Sequence, residues 1–397
     1  MRRTLAFTLT LVVLLLASAV AVPAGGQLYT QSAPVVPANN TTAYLTIADD
    51  DLERTGYGTA SLDVGAALAA QNEGLHARWG ALSLEERLAV ASGSAEQRSI
   101  LQSELDQLTT DVAALEQRKR DALAAYNSGT LTTDELVREL AAIALVAESL
   151  EDRLDSLETA ANDVQDTQIE TSLRELQVSL LELHGPIRDH SSLVVEGRAT
   201  PRTVYVETSD TGVVFATIAG TEYVREVSIP TARDPAAPDQ YSGDLDRVEE
   251  RAKELHPWAV NHSRGRNYGS LEFGFVGVYP IELPHSHGTL QSYLDGGTGD
   301  VFYETQTKDL DEIPTNPPIT GGEDGLTLTV ETTHPSGPMN VTLVDARTGD
   351  PVDGTLTLDG EQVGTTGDDG TVWVIQPRGG GTLVASAGGD SVRVALA

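Results

Sequence analysis

A long stretch without proline, from Ala60 to His184, limits the fold of this chain more than any other feature. Alanine, leucine, glutamate, glutamine and arginine dominate it, and its apolar residues recur at heptad spacing, as in packed amphipathic helices. They form three runs: Leu101, Leu105, Leu108, Val112 and Leu115; Leu136, Leu140, Ile143, Ala147, Leu150, Leu154, Leu157, Ala161 and Val164; and Leu173, Leu176, Leu180 and Leu183. The pattern predicts a helical coiled-coil region over residues 60–185.

Capping-box sequences divide this region into separate helices. They begin at Ser83, Ser94, Thr132 and Thr167, each followed three residues later by Glu or Gln. We expect helices near 62–80, 84–92, 95–127, 132–163 and 167–184. The short turn at 127–130 predicts that the two longest helices form an antiparallel hairpin burying its own stripes. A stalk that forms homo-oligomers through its coiled coil is the alternative.

The charge balance excludes some partners. The chain has 59 acidic and 26 basic side chains, a net charge of −33, and only three lysines. Such a surface repels phosphate, so we expect no nucleic-acid partner and no binding to anionic membranes. Abundant carboxylates with little lysine resemble the proteins of extreme halophiles. Because the chain has no cysteine, disulfides and thiolate metal sites are excluded.

The amino terminus predicts export. Arg2 and Arg3 precede an apolar run from Leu5 to Val22 that ends in small residues, as in a signal peptide. We expect residues 1–24 to be a signal peptide or an uncleaved membrane anchor, and residues 25–59 to be a spacer. The protein is then extracellular or at the cell surface. Glycosylation sequons begin at Asn39, Asn40, Asn261 and Asn340.

Residues 186–309 predict an α+β domain with a small antiparallel sheet and one helix. The predicted strands are 203–207, 213–218, 223–229, 271–279, 289–294 and 301–305, and the predicted helix is 242–255. The segment 288–301 contains Asp295-x-x-Thr298-Gly299-x-Val301 between two strands. It resembles the terminal hairpin of PepSY-type domains, which are small exported modules. The resemblance implies an exported peptidase as a partner, which this domain would restrain.

Two histidines form the candidate metal site. His285 and His287 are two residues apart, so in a strand both rings point to the same face and can bind zinc or copper together. A third ligand would come from His256, His262, Glu282 or Asp295. A loop with solvated histidines is the alternative interpretation. No other motif indicates a catalytic residue or a cofactor.

The carboxy-terminal third predicts a β-sandwich. Prolines and glycines over 310–325 indicate a linker, and short strands separated by turns fill 326–397. The segments 341–354 and 363–371 resemble carboxypeptidase-regulatory-like and immunoglobulin-like surface modules. That resemblance implies a spacer or adhesive role.

Together these patterns predict a multidomain chain: an α region with a helical hairpin or coiled coil, an α+β domain and an all-β domain. It resembles the uncharacterised exported envelope proteins of haloarchaea. We expect a non-enzymatic surface protein that projects small binding domains on a helical stalk and contacts other envelope proteins. A regulator of an exported peptidase is the alternative, and a metal-dependent hydrolase using His285 and His287 is the third hypothesis.

Overall fold

The structure is a computed structural model that describes residues 34–164, 166–268 and 276–397. The expected signal peptide or anchor and the first residues of the expected spacer lie outside these ranges. So does most of the strand predicted over 271–279. Within the described ranges, no helix has the length and apolar character needed to cross a membrane.

Five consecutive helices occupy the proline-free region and its continuation: α1 (Val64–Val90), α2 (Ser94–Asn127), α3 (Thr133–Val164), α4 (Thr167–Leu181) and α5 (Pro186–Val195). Two helices expected near 62–80 and 84–92 are one continuous helix, α1, because alanine and leucine on both sides of Ser83 favour helix. Helix α5 was not predicted. Gly185-Pro186 indicates a helix end, but Pro186 occupies the first turn of α5, where proline is favoured.

Helices α2 and α3 pack as an antiparallel pair. Arg118 of α2 binds Glu139 of α3, and further along the pair Arg153 of α3 binds Asp111 of α2. Gly129 makes the turn between them with a φ of +79°. The heptad leucines of both helices are buried, and α3 also contacts α1, α4 and α5. The stripes are therefore used within one chain.

An eight-stranded antiparallel sheet combines one strand that precedes the helices with seven that follow them. A separate hairpin of β1 (Val35–Ala38) and β2 (Thr41–Leu45) comes first in the chain. The strands of the large sheet are β3 (Arg54–Thr59), β4 (Thr203–Thr208), β5 (Val213–Ala219), β6 (Glu222–Ser228), β7 (Asn267–Tyr268), β8 (Val278–His285), β9 (Gly288–Asp295) and β10 (Val301–Asp309). The sheet order is β3-β4-β5-β6-β10-β9-β8-β7. The predicted turn between β9 and β10 is present: Asp295 accepts a hydrogen bond from the Thr298 N–H, and Gly299 has a φ of +77°.

Each face of this sheet is covered by a different part of the chain. Val206 and Phe215 share one core with the leucines of α2, α3 and α4, so the helices do not stand apart as a stalk. The other face packs against β2, α6 (Leu245–Leu255) and α7 (Pro257–His262). Strands β1, β2 and β3 all lie in the segment we expected to be a spacer. Its described residues include a buried apolar group of Ala43, Tyr44, Leu45 and Ile47.

The carboxy-terminal domain consists of two four-stranded antiparallel sheets that share one apolar core. One contains β11 (Ile319–Glu323), β12 (Leu326–Glu331), β13 (Pro338–Asp345) and β16 (Thr371–Ile375); the other contains β14 (Thr355–Leu358), β15 (Glu361–Thr365), β17 (Gly381–Ala387) and β18 (Asp390–Leu396). Strand β11 lies inside the expected linker. Leu310 and Ile313, also in that segment, are buried between this domain and the eight-stranded sheet.

Candidate functional site

The two histidines predicted as metal ligands lie where β8 turns into β9. His285 Nε2 is 2.8 Å from the hydroxyl of Thr42, and His287 Nδ1 is 3.1 Å from the hydroxyl of Thr41. Burial lowers the pKa of His285 to about 3 and also lowers that of His287. Among the described residues, no group of three or more His, Cys, Asp or Glu is arranged to hold a metal ion. The metal site stays a prediction.

The candidate glycosylation sites differ in exposure. Asn39 and Asn40 are exposed at the tip of the β1–β2 hairpin, and Asn261 is exposed in α7. Asn340 is half-buried in β13, opposite Trp373 of β16. Modification at these four positions stays a prediction.

A layer of buried polar side chains lies beneath β2. Three of them bind the backbone of that strand. Glu304 accepts from the Leu45 N–H at 2.9 Å, Gln306 donates to the Ala43 carbonyl at 2.8 Å, and Arg225 donates to the Leu45 carbonyl. Among the described strands, β2 pairs only with β1. Without the polar layer its other peptide groups would be buried without partners, which is costly. The layer holds the hairpin across the sheet.

Burial shifts the pKa values of this layer. It raises the pKa of Glu304 to about 7 and lowers the pKa of Lys308 to about 7. It also lowers the pKa of His256, whose Nε2 is 3.9 Å from Glu304 Oε2, to about 4. Such shifts are typical of catalytic sites. Here, however, none of the three side chains is more than 1% exposed, so they are sealed from solvent.

Sequence analysis missed this layer for a physical reason. Glu304, Gln306 and Lys308 occupy alternate positions of β10, and polar residues at alternate positions of a strand predict a solvent-facing side. The hairpin that covers them lies about 260 residues earlier in the chain. The alternation of polar residues along β10 was the signal available in the sequence. It does not indicate that a hairpin from a distant part of the chain covers them.

The opposite face of the sheet carries a second buried ionic group. Arg188 of α5 forms an ion pair with Glu226 of β6, and neither side chain is more than 3% exposed. Arg188 also donates to the Glu182 carbonyl at 2.8 Å, and Glu226 accepts from the Ile187 N–H at 3.0 Å. These bonds fasten α5 to the sheet.

A groove of about 470 Å³ lies between α5 and the sheet. Its lining includes His190, Arg202 and Thr217 together with the buried apolar side chains of Ile187 and Val224. None of the site residues predicted from sequence lies in this groove.

The exposed face of α1 is the most distinctive surface of the described residues. Six large apolar side chains of this helix are more than half exposed: Val64 60%, Leu68 60%, Leu75 56%, Trp79 73%, Leu82 63% and Val90 75%. At about 100° per residue all six fall within an arc of roughly 80°. We call this set of six apolar side chains the α1 stripe; exposed polar residues, including Gln71 and Glu86, lie between them on the same face. An exposed tryptophan in such a stripe is uncommon, and stripes of this kind mark interaction surfaces.

The buried side of α1 explains why the stripe faces outward. The residues that pack against the rest of the protein are mostly small and include Ala70, Ala77 and Gly74. Small residues let helix axes approach closely, and α1 uses this face against α3. The usual arrangement, with large apolar residues inside and small or polar ones outside, is therefore inverted.

An apolar groove adjoins the carboxy-terminal end of the stripe. Its volume is about 620 Å³, and its lining includes Leu82, Leu84 and Leu88 of α1, Gln97 of α2 and Ala160 of α3. Stripe and groove together form an apolar surface that can bind another apolar surface, such as a helix laid along α1.

Profiles of three families match consecutive parts of the chain. Residues 1–200 match a domain of unknown function (DUF7096), residues 204–314 match a family of unknown function (DUF7094), and residues 318–394 match an archaeal fibronectin-III type-like domain. Because the first match covers just over half of the chain, the protein belongs to the DUF7096 family. Searches of curated proteins and of solved structures found no match.

These matches confirm part of the sequence analysis. The match to an archaeal fibronectin-III type-like domain confirms an immunoglobulin-like carboxy-terminal domain, and it is consistent with an archaeal protein. The region that resembles PepSY-type domains is matched by DUF7094 instead, so the PepSY resemblance stays a prediction. The coiled coil and the halophilic origin also stay predictions.

Proposed function

We propose that this chain is a non-enzymatic, exported surface protein of a halophilic archaeon that binds protein partners through the α1 stripe. The observation that carries the proposal is the stripe itself: six large apolar side chains lie on one face of α1, each more than half exposed. Leaving them in water costs hydrophobic free energy that a bound partner recovers.

Other features support the remaining parts of the proposal. The basic and apolar amino terminus supports export, and the net charge of −33 supports life in concentrated salt. The fibronectin-III-like domain supports a place at the cell surface, because it is a surface-type binding module. Burial of the groups with shifted pKa values, Glu304, Lys308 and His256, supports a non-enzymatic role.

Chemical cross-linking on intact cells at native salt tests this function. The wild type is compared with a Leu68→Gln/Trp79→Ser variant and with Leu245→Gln, a control that changes an exposed apolar residue of α6. We expect wild type and control to be cross-linked to the same surface proteins and the stripe variant to lose them.

Two outcomes contradict the proposal. Recovery of the protein only from the cytoplasmic fraction removes the surface role. Neighbours that are the same for wild type and stripe variant remove the stripe as the binding surface. A single stoichiometric peptidase among the neighbours would favour the regulatory alternative.

A further inference from the structure

We infer that the partner on the α1 stripe is the α1 stripe of a second copy of this chain, with the two helices antiparallel. This inference rests on the proposed function, because it names the occupant of the same surface. Four properties of α1 lead to it: the spacing of its apolar residues, its charge, the position of its glutamates and the area it presents.

The spacing suits helix pairing. Leu68, Leu75 and Leu82 are seven residues apart, which is the repeat of a two-helix seam. Val64 precedes Leu68 by four residues, and Trp79 follows Leu75 by four, so both lie on the same side. Since identical stripes pair with themselves around a two-fold axis, one surface supplies both halves of the interface.

The charge of α1 allows self-association in a strongly acidic protein. Its 27 residues contain three glutamates and two arginines, while the whole chain carries a net charge of −33. Two copies that meet elsewhere bring like charges together. Two copies that meet along α1 bring together nearly neutral surfaces, which favours this face for a contact between identical chains.

The glutamates set the direction. Glu85 and Glu86 are exposed near the carboxy-terminal end of α1. A parallel pair would place them against the same glutamates of the partner. An antiparallel pair places them at opposite ends of the interface and so avoids this like-charge contact. The partner's Leu62 and Val64 then lie near the groove formed by Leu82, Leu84 and Leu88.

The area indicates a reversible dimer. A stripe about 40 Å long and about 10 Å wide offers about 400 Å² per copy, so a dimer buries about 800 Å² in total. This is below the usual range for stable complexes of about 1,200–2,000 Å². We therefore expect a dimer that dissociates on dilution and that salting-out ions strengthen.

Sedimentation of the full chain at molar salt tests the dimer. We expect a concentration-dependent monomer–dimer equilibrium for wild type and for Leu245→Gln. In Leu75→Gln/Trp79→Ser the dissociation constant of the dimer should be at least tenfold higher than in wild type. Its circular dichroism should be unchanged, since both side chains are more than half exposed. A wild type that stays monomeric at high concentration, or a dimer that the double variant leaves intact, would overturn the inference.

Cysteine cross-linking tests the direction in a chain that has no native cysteine. Val64→Cys and Val90→Cys place thiols at opposite ends of α1. With a flexible thiol cross-linker, an antiparallel pair gives a covalent dimer only when the two variants are mixed, whereas a parallel pair links Val64→Cys to itself. Self-linking of Val64→Cys would overturn the antiparallel arrangement.

The two proposals fail separately. A monomeric wild type whose cellular neighbours still depend on the stripe leaves the proposed function standing and overturns the dimer. A dimer without cellular neighbours other than itself supports the inference and removes binding to other proteins. Loss of both the dimer and the stripe-dependent neighbours overturns both.

Discussion

The guanidinium of Arg378 in the carboxy-terminal domain lies 3.2 Å from the carboxylate of Glu207 in β4, a side chain that is fully buried. Arg378 also contacts Asp49 at 2.6 Å, and its backbone N–H donates to the hydroxyl of Tyr205 at 3.0 Å. One arginine thus joins the fibronectin-III-like domain to the eight-stranded sheet and to the segment before β3. The domain is docked rather than loosely linked.

Arg378→Gln should lower the free energy of unfolding by about 3 kcal/mol, because it leaves the Glu207 carboxylate buried without its charged partner. Denaturant unfolding at molar salt measures the change. Arg393→Gln in the same domain is the control, since its pair with Glu323 is exposed and contributes less than about 1 kcal/mol. Adding Glu207→Gln to Arg378→Gln should restore part of the loss. Equal effects of Arg378→Gln and Arg393→Gln would show that the buried pair does not dock the domain.

Arg188→Met should destabilise the protein by about 3–5 kcal/mol, since it leaves Glu226 as an unpaired buried charge beneath α5. Arg198→Met is its control, because Arg198 is 67% exposed beside Glu196. Hydrogen exchange should also show α5 opening before the sheet in the Arg188 variant. Unchanged protection of α5 would contradict its attachment through this pair.

Lys308→Met should stabilise the protein, and more at pH 6 than at pH 10. Burial lowers the pKa of Lys308 from 10.5 to about 7 in the folded state. Between about pH 7 and 10.5 the unfolded state binds more protons, so wild-type stability rises with pH across that window. The methionine removes this rise. Lys253→Met is the control. Because Lys253 is exposed and paired with Glu249, this variant should keep the wild-type rise of stability with pH. Parallel pH curves for wild type and Lys308→Met would disprove the expectation.

His184→Gln should remove a contribution to stability that decreases as the pH rises, the reverse of the Lys308 effect. Burial alone would lower the pKa of His184, but hydrogen bonds to Asp189 and Glu151 raise it to about 9. The raised pKa stabilises the fold fully below about pH 6.5, and this stabilisation is lost as the pH rises to about 9. The difference between wild type and variant, about 3 kcal/mol at pH 6, should disappear above pH 9. A difference independent of pH would mean that His184 contributes by packing alone.

Gly288→Ala should destabilise the protein by about 3 kcal/mol or more. Gly288 begins β9 with a φ of +146°, and an added Cβ would lie 1.9 Å from the Thr307 carbonyl oxygen of β10. The matched change Gly80→Ala in α1 meets no neighbouring atom within 4 Å and should stabilise by about 1 kcal/mol. Thermal unfolding of the two variants checks both signs. A tolerated Gly288→Ala would show that β9 and β10 are not packed this closely.

Local patterns in the sequence were sufficient for most of the elements. Heptad spacing and capping sequences predicted α2, α3 and α4 because both signals depend on residues a few positions apart. Alternating strands and their turns predicted the carboxy-terminal domain in the same way, and the turn at Asp295 formed as expected. In these cases the residues that determine the structure are neighbours in the chain.

Elements that depend on distant partners were missed or placed differently. Strands β1 to β3 lie in a segment with spacer-like composition. Strand β2 finds Arg225, Glu304 and Gln306 beneath it, and β3 pairs with β4, about 150 residues later in the chain. His285 was expected, in the alternative interpretation, to lie in a solvated loop, yet it ends β8, is buried, and Thr42, 243 residues earlier, bonds its ring. Strand β11 exists because β12 pairs with a segment whose glycines indicate a linker.

Helix α1 shows most clearly which features depend on the local sequence and which depend on tertiary packing. Its alanines and leucines are enough to make it helical, because helix propensity and i to i+4 spacing are local properties. Which of its two apolar sides is buried depends on α3, whose close approach selects the side with alanine and glycine. The large side chains from Val64 to Val90 are left outside for that reason. Their exposure results from the packing between helices, so it cannot be predicted from the periodicity of one helix.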